Sequence, residues 1–99
     1  MLIVAGYFKV GPSDRAAFIE NRTEAILRSR GEKGCHAYAF SPDPVDPGLI
    51  NLYERWETAE DLAAHAAANR ANARPSDGIE VLASEVLRYE IAEVGPLAP

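Results

Sequence analysis

The chain has little of what most cofactor and metal sites require. Its 99 residues include one cysteine and two histidines. One cysteine excludes an internal disulfide framework and a cysteine-rich metal site. The histidines, His36 and His65, are too far apart for a helical pair and have no carboxylates grouped with them, so we expect no metal site. No glycine-rich loop follows a predicted strand, so a nucleotide or flavin site lacks its usual anchor and we expect no cofactor.

Charge and hydropathy limit the possible partners. The formal net charge is −5, and no basic stripe is present to neutralise phosphates, so we expect no nucleic-acid partner. No apolar run approaches the roughly twenty residues that cross a bilayer. The apolar segment 2–8 is followed, not preceded, by its nearest cation, Lys9, which is the wrong order for a secretory signal. We therefore expect no membrane association and a cytoplasmic location.

Hydrophobic periodicity predicts four strands and two helices. The strands are predicted over 2–10, 35–41, 49–57 and 79–94. One helix should begin at Ser13 as its N-cap and end at Gly31, and a second should cover about 59–72 with Thr58 as its N-cap. The order β-α-β-β-α-β is that of the ferredoxin-like α+β fold, a four-stranded antiparallel sheet with two helices on one face.

This architecture leaves one face of the sheet uncovered. A chain of this length has room for a single domain, which we expect to span residues 1–99 with a C-terminal tail over about 95–99. Both helices lie on the same side, and nothing else in the chain remains to cover the other. We therefore predict a homodimer in which two sheets pack face to face as a closed barrel. The long final strand fits an arm that reaches the partner.

The candidate chemistry lies in the third strand and the second helix. Period two along the strand and helical spacing along the helix predict that six side chains converge on the same side of the sheet. They are Leu52, Glu54, Trp56, Leu62, His65 and Asn69. A carboxylate, an indole and an imidazole that meet under a helix can hold an aromatic molecule and accept a proton from it.

Each of these residues also has a purely structural interpretation. Trp56 can be a core residue at a strand end or the wall of a pocket. Glu54 on an apolar face needs a partner, and Arg22, Arg88 and His65 are the candidates. His65 can be a proton acceptor or a buried, hydrogen-bonded structural histidine. The alanines of the second helix allow close packing on the sheet as well as a pocket beneath it.

The chain resembles the antibiotic biosynthesis monooxygenase domain, a family of dimeric α/β barrels. The similarity spans nearly the whole length and rests on the following segments: the opening strand and its Gly11-Pro12 turn, Gly34-Cys35 leading into Tyr38, Tyr53-Glu54-Arg55-Trp56-Glu57-Thr58, and Asp61 followed by His65. The resemblance implies a cofactor-independent monooxygenase that oxidises an electron-rich aromatic, a quinol or polyketide-like phenol, with dioxygen. The alternative is a non-catalytic dimeric protein of the same fold that binds a small molecule or assists a partner enzyme.

The resemblance also implies roles for the six residues. His65 would accept a proton or hold the anion, and Glu54 would orient His65 or hold its charge. The substrate-binding residues would be Trp56 as an aromatic wall together with Asn69, Leu52 and Leu62. Two family features are absent: a His-Phe pair after the second helix, in the region 70–75, and the first-strand asparagine of the haem-degrading branch. The second absence disfavours haem breakdown.

Overall fold

A computed structural model describes residues 1–98 and has the predicted ferredoxin-like α+β architecture. The strands are β1 (Leu2–Lys9), β2 (Cys35–Pro42), β3 (Leu49–Trp56) and β4 (Ala83–Glu90). The helices are α1 (Arg15–Glu20), α2 (Thr23–Arg30) and α3 (Ala59–Ala71). All neighbouring strands are antiparallel, and their order in the sheet is β2-β3-β1-β4. The sequence prediction of fold class is therefore confirmed.

The first predicted helix is in fact two helices. The break follows α1, where the guanidinium of Arg22 donates to the Phe18 carbonyl at 2.9 Å and lies 3.4 Å above the Phe18 ring. The backbone N–H of Arg22 donates instead to Ile19, three residues back, at 3.0 Å. Because a side chain has taken the carbonyl that an α-helix would use at this point, the helical ladder is interrupted.

The start of this region also differs from the prediction. Pro12–Asp14 forms a single 3-10 turn whose N-cap is Gly11. Asp14 precedes α1 without a side-chain hydrogen bond to the helix. The prediction that Ser13 caps the first helix is therefore wrong. Proline at the first position of the turn sets a helical φ there, so the turn begins one residue before the expected cap.

The last strand is shorter than predicted because its partner is short. Each residue of β4 pairs with one residue of β1, from Leu2 opposite Glu90 to Lys9 opposite Ala83. The Leu82 N–H still donates to Lys9 and the Ile91 N–H to Met1, and regular pairing ends there. The predicted strand over 79–94 is wrong at both ends, since β1 offers no further backbone groups to an edge strand.

The core lies between the helices and one face of the sheet. Along β3 the even-numbered residues are buried and Asn51 and Tyr53 are exposed, which confirms the predicted alternation. Two clusters of buried residues fill this side: Val4, Ile26, Tyr38, Leu52 and Trp56 in one, and Val10, Phe18 and Ile50 in the other.

The opposite side of the sheet, which we call the open face, has no helix over it. Strand register places apolar and aromatic side chains there, among them Ile3, Ala5, Tyr7, Ala37, Ala39, Tyr53, Leu87 and Tyr89. The last three are 39%, 46% and 49% exposed. A single chain therefore leaves a broad apolar surface in contact with water.

Strand β2 departs from strict alternation at its start. The register with β3 shifts between Cys35 and Ala37, so that Cys35 lies opposite Trp56 and His36 is the additional residue of a bulge. Cys35 consequently packs against the core rather than sharing the face of Ala37, as alternation predicted. The bulge matters below because it gives His36 an acidic partner.

Candidate functional site

Helix α3 is anchored over β3 by its first turn. The Thr58 hydroxyl accepts a hydrogen bond from the Asp61 N–H at 3.1 Å, which confirms the predicted cap. Asp61 in turn packs against Gly34, whose φ is +79°, and a Cβ at Gly34 would overlap the Asp61 side chain. Only glycine combines this left-handed backbone with so close an approach, so the chain can enter β2 directly beneath α3.

This anchoring brings His65 onto the helix-covered face of β3. Its imidazole is 5% exposed. The ring centroid lies 4.6 Å from that of Trp56, which is fully buried, and 5.2 Å from that of Tyr38. The structure thus places the indole and the imidazole in contact, as the spacing of the two elements predicted. Their roles in chemistry stay predictions.

The polar partners of His65 come from three different elements. Its Nδ1 lies 2.7 Å from Glu32 Oε1, and its Nε2 lies 3.1 Å from Asn69 Nδ2. Glu54 Oε1 is 3.9 Å from Nε2 and accepts a hydrogen bond from Trp56 Nε1 at 2.9 Å. We call these five residues, Glu32, Glu54, Trp56, His65 and Asn69, the buried cluster.

Glu32 is the member that sequence reasoning missed. It lies in the turn between α2 and β2, 33 residues before His65, and belongs to no periodic segment. Of the three partners predicted for Glu54, His65 is the one that lies within ion-pair distance of it. The hydrogen bond to Glu54 is donated by Trp56, which was not among those candidates. The available signal for Glu32 was its position between Gly31 and Gly34, a turn that must fold back close to the second helix.

A hydrogen-bond chain determines the tautomer of His65. Arg28 Nη2 lies 2.5 Å from Asn69 Oδ1. Because a guanidinium can only donate, this contact assigns the amide oxygen to the arginine and leaves the Asn69 NH₂ group facing His65. His65 Nε2 must then accept, so its lone pair points toward Asn69 while Nδ1–H donates to Glu32. In this arrangement Nε2 is the acceptor nitrogen of the imidazole.

Burial shifts the acid–base properties of two neighbouring groups. Burial raises the pKa of the Glu54 carboxyl, while the Trp56 hydrogen bond and the nearby His65 oppose that shift. Burial also raises the pKa of Tyr38 to about 12, and the negative charge of Glu54 adds to this effect. Both groups therefore hold their protons more tightly than they would in water.

A cleft of about 710 Å³ lies beside the buried cluster. It runs between α2, the end of α3 and the segment after α3. Its lining includes the polar residues Arg22, Arg28, Asn69, Asn72, Arg74 and Asp77. Of the six site residues predicted from sequence, Asn69 is the one found in this lining, and its exposed side chain separates the cleft from His65 Nε2.

The other predicted site residues lie deeper. Leu52 is 5% exposed and belongs to a core cluster, and Leu62 packs against the same cluster. Glu54 and Trp56 are 6% and 0% exposed. Their contact with a ligand stays a prediction, which requires α3 or the side chains above them to move.

His36 has a different environment. Its Nε2 lies 2.6 Å from Glu57 Oε2, with the two side chains 39% and 55% exposed. Both residues line a smaller cavity of about 470 Å³ that includes Tyr53 and Arg55 of β3. Among residues 1–98, no group of three histidine, cysteine or acidic side chains is placed to hold a metal ion.

The fold and the buried cluster together define a class: a ferredoxin-like α+β protein with an aromatic, histidine-containing centre under its last helix. The family model for antibiotic biosynthesis monooxygenase matches residues 1–73. The chain belongs to this family. A curated relative, an uncharacterized protein of Synechocystis sp., is 30% identical over 98 residues, which cover 97% of this chain and 67% of the relative.

Solved structures with the same fold come from other bacteria. A candidate antibiotic biosynthesis monooxygenase of Deinococcus radiodurans has a TM-score of 0.75 at 18% identity and covers 100% of both chains. A similar protein of Nitrosomonas europaea has a TM-score of 0.70 at 22% identity, covering 94% of this chain and 100% of that one. A haem-degrading protein of Mycobacterium tuberculosis, with two haems in its active site, has a TM-score of 0.70 at 12% identity and covers 96% and 100%.

The arrangement of His65 in this structure is not that of a haem ligand. A haem iron takes a histidine nitrogen with an open lone pair as its axial ligand. Here His65 Nδ1 meets Glu32 and Nε2 meets Asn69, so neither nitrogen is open. The helix-covered face of β1 carries the apolar residues Leu2, Val4 and Phe8.

Within residues 1–98, every helix is too short or too polar to reach across a bilayer.

Proposed function

We propose that this protein is a cofactor-independent monooxygenase that oxidises an electron-rich aromatic, a quinol or polyketide-like phenol, with dioxygen. The observation that carries the proposal is the position of His65 Nε2, which accepts a hydrogen bond from Asn69, an exposed residue on the wall of a cleft. Membership of the monooxygenase family supports the reaction class.

The substrate supplies the electrons in this reaction. When Asn69 turns aside, a phenol in the cleft donates its O–H proton to His65 Nε2, and Glu32 stabilises the imidazolium that forms. The phenolate transfers an electron to dioxygen, and the two radicals combine in a carbon–oxygen bond at the ring. His65 protonates the resulting peroxide. The O–O bond then breaks, the ring carbon loses its hydrogen as a proton, and the products are a quinone and water.

The electron balance of this sequence closes without another reductant. A naphthol loses four electrons on conversion to a naphthoquinone, and dioxygen takes up four. One oxygen atom enters the ring and the other leaves as water. Glu54 and Trp56 lie behind the imidazole as a hydrogen-bonded carboxyl group and an aromatic wall. Glu54 Oε1 is 3.9 Å from His65 Nε2, and the ring centroids of Trp56 and His65 are 4.6 Å apart.

A second candidate function is non-catalytic binding of a small aromatic molecule, or assistance to a partner enzyme. The near-complete burial of His65 and the partners at both of its nitrogens favour it, because a structural histidine has these properties. Both functions share one assembly: we propose a homodimer that buries the exposed apolar side chains of the open face. A cytoplasmic location is part of the same proposal.

Oxygen uptake distinguishes the two functions. Purified protein is incubated with a panel of naphthols and anthrones, and dioxygen is followed with an electrode. His65→Ala should lower the rate at least about 100-fold, as expected for loss of a general base. His36→Ala is the matched control, because this second histidine also pairs with a glutamate, and its rate should stay within a factor of about two.

Folding must be checked before these rates are compared. His65→Gln keeps an amide that can donate to Glu32, and circular dichroism melting shows whether each variant is folded. Loss of uptake in folded His65→Gln supports the monooxygenase. Equal rates in wild type and His65 variants contradict it. No uptake across the panel, together with ligand-dependent increases in melting temperature, establishes the binding function instead.

A further inference from the structure

Within residues 1–98, Arg28 is a cation without a carboxylate partner. It lies on α2 in the lining of the cleft and is partly buried. Among residues 1–98, Asn69 Oδ1 is the one acceptor within hydrogen-bond distance of its guanidinium. The Nε atom is buried and has no partner at all within this part of the chain. A buried donor without an acceptor is uncommon in folded proteins and asks for an explanation.

The two other arginines of the cleft are neutralised. Arg22 lies 3.7 Å from Asp77, and Arg74 is in contact with Glu24. No carboxylate of residues 1–98 forms an ion pair with Arg28. Positive charge in the cleft is therefore not a general property of its walls but is concentrated at this one guanidinium.

The two hydrogen bonds of the Asn69 amide show which hydrogen-bonding groups a ligand needs in order to replace it. Its oxygen accepts from Arg28, and its NH₂ group donates to His65 Nε2. A ligand that displaces this amide must present an acceptor to the arginine and, directly beside it, a donor to the imidazole. An aryl ring with a hydroxyl next to a carboxylate has both groups in that order. The carboxylate also matches the planar fork of a guanidinium and supplies the missing negative charge.

We propose that the ligand of the cleft is a hydroxyaryl carboxylate with the two groups on neighbouring ring carbons, held by Arg28 through the carboxylate and by His65 through the hydroxyl. This inference narrows the substrate class of the proposed function and rests on that function for the oxidation step alone. Binding can be measured without turnover, under exclusion of dioxygen, so the two claims can fail separately.

Two isomeric ligands isolate the predicted geometry. In 3-hydroxy-2-naphthoate the hydroxyl and the carboxylate are neighbours, whereas in 6-hydroxy-2-naphthoate they lie at opposite ends of the same ring system. Isothermal titration calorimetry without dioxygen should give a dissociation constant about tenfold or more lower for the first isomer. 2-Naphthol, which lacks the carboxylate, should bind more weakly than the first isomer by a similar factor.

Matched variants then locate the interaction. Arg28→Met removes the charge and keeps most of the stem, and it should weaken 3-hydroxy-2-naphthoate binding about tenfold or more. Arg74→Met removes the same charge from the same cleft and should change the dissociation constant less than about threefold, because that arginine is exposed and already paired. Arg28→Lys keeps the charge without the fork, so it should bind both carboxylates but lose most of the preference between the isomers.

The outcomes separate this inference from the proposed function. Equal affinity of wild type for the two isomers overturns it, as does an equal loss in Arg28→Met and Arg74→Met. Preferred binding of the first isomer with no oxygen uptake supports the ligand class and contradicts the monooxygenase. Uptake with simple naphthols, without any preference for the neighbouring isomer, supports the monooxygenase and contradicts the ligand class.

Discussion

The molecule contains two histidine–glutamate pairs of nearly equal length in opposite environments. His65 and Glu32 are 2.7 Å apart and 5% and 20% exposed, whereas His36 and Glu57 are 2.6 Å apart and 39% and 55% exposed. Each pair takes one member from beside Gly34: Glu32 from the turn before it, and His36 from the start of β2 after it. The turn is thus joined to α3 by one pair and to the end of β3 by the other.

The difference between the pairs lies in what surrounds them. His65 has an indole and a phenol ring against its imidazole and an amide at its second nitrogen. His36 has solvent. An exposed ion pair contributes little because water and salt screen it, while a buried donor that loses its acceptor cannot turn to water. The same two side chains can therefore be a structural or chemical centre in one place and a marginal surface contact in another.

The largest effect on stability should come from removing Trp56, whose indole packs against the imidazole of the buried His65–Glu32 pair. Trp56→Ala deletes a fully buried indole, and we expect it to lower the free energy of unfolding by about 3–5 kcal/mol, measured by urea denaturation. If this variant does not fold, Trp56→Phe provides a milder test in the same direction. A loss below about 1 kcal/mol would contradict the tight packing of this centre.

The matched change on the open face is Tyr53→Ala, three positions before Trp56 on the same strand. In an isolated chain its loss should stay near 0.5 kcal/mol, because the ring is 39% exposed. In the proposed homodimer the ring is covered, so the loss should be larger and depend on protein concentration. Light scattering on the wild-type protein shows whether it is a single chain or a homodimer in solution. A mass equal to that of one chain would contradict the homodimer.

Removing the glutamate of each pair should also cost more stability in the buried pair than in the exposed pair, but the difference should be smaller than that between Trp56→Ala and Tyr53→Ala. Glu32→Ala leaves the His65 Nδ1–H buried without an acceptor, and we expect a loss of about 1–3 kcal/mol in the free energy of unfolding. Glu57→Ala removes an exposed partner, and its loss should be below about 1 kcal/mol. Both are measured by urea denaturation at pH 7. Equal losses would mean that burial does not distinguish the two pairs.

The smallest effect is a pH dependence of the buried cluster. Burial raises the pKa of Glu54, so the folded chain holds this proton more tightly than the unfolded chain. Its stabilising contribution is full below the ordinary glutamate pKa of 4.5 and is lost as pH rises through the higher pKa of the folded state. Glu54→Gln keeps an acceptor for Trp56 and removes the titration.

Urea denaturation of wild type and Glu54→Gln at pH 4 and pH 7 measures this difference. The stability of the variant relative to wild type should increase between the two pH values. Glu57→Gln is the exposed control, and its difference from wild type should stay within about 0.5 kcal/mol at both. If the stability of Glu54→Gln relative to wild type fell between pH 4 and pH 7, the pKa of Glu54 would be lowered in the folded state, which contradicts the prediction.

Local signals in the sequence predicted much of this fold because they act over a few residues. The alternation of β3 appears directly as buried and exposed positions, and Thr58 with Asp61 forms the expected cap. Two local predictions failed where a tertiary partner intervened. The Arg22 side chain interrupts the first helix, and the length of β1 limits that of β4.

The order of elements, the helix-covered face of the sheet and the meeting of Trp56 with His65 were determined by the sequence itself, through periodicity and spacing. Only the tertiary structure decided that Glu32 is the partner of His65, that Arg28 and Asn69 meet across 41 residues, and that the cleft lies beside the imidazole instead of beneath it. The physical reason is that these contacts join groups far apart in the chain. Their distances depend on how a turn at Gly34 and two helices pack, and no local pattern records that packing.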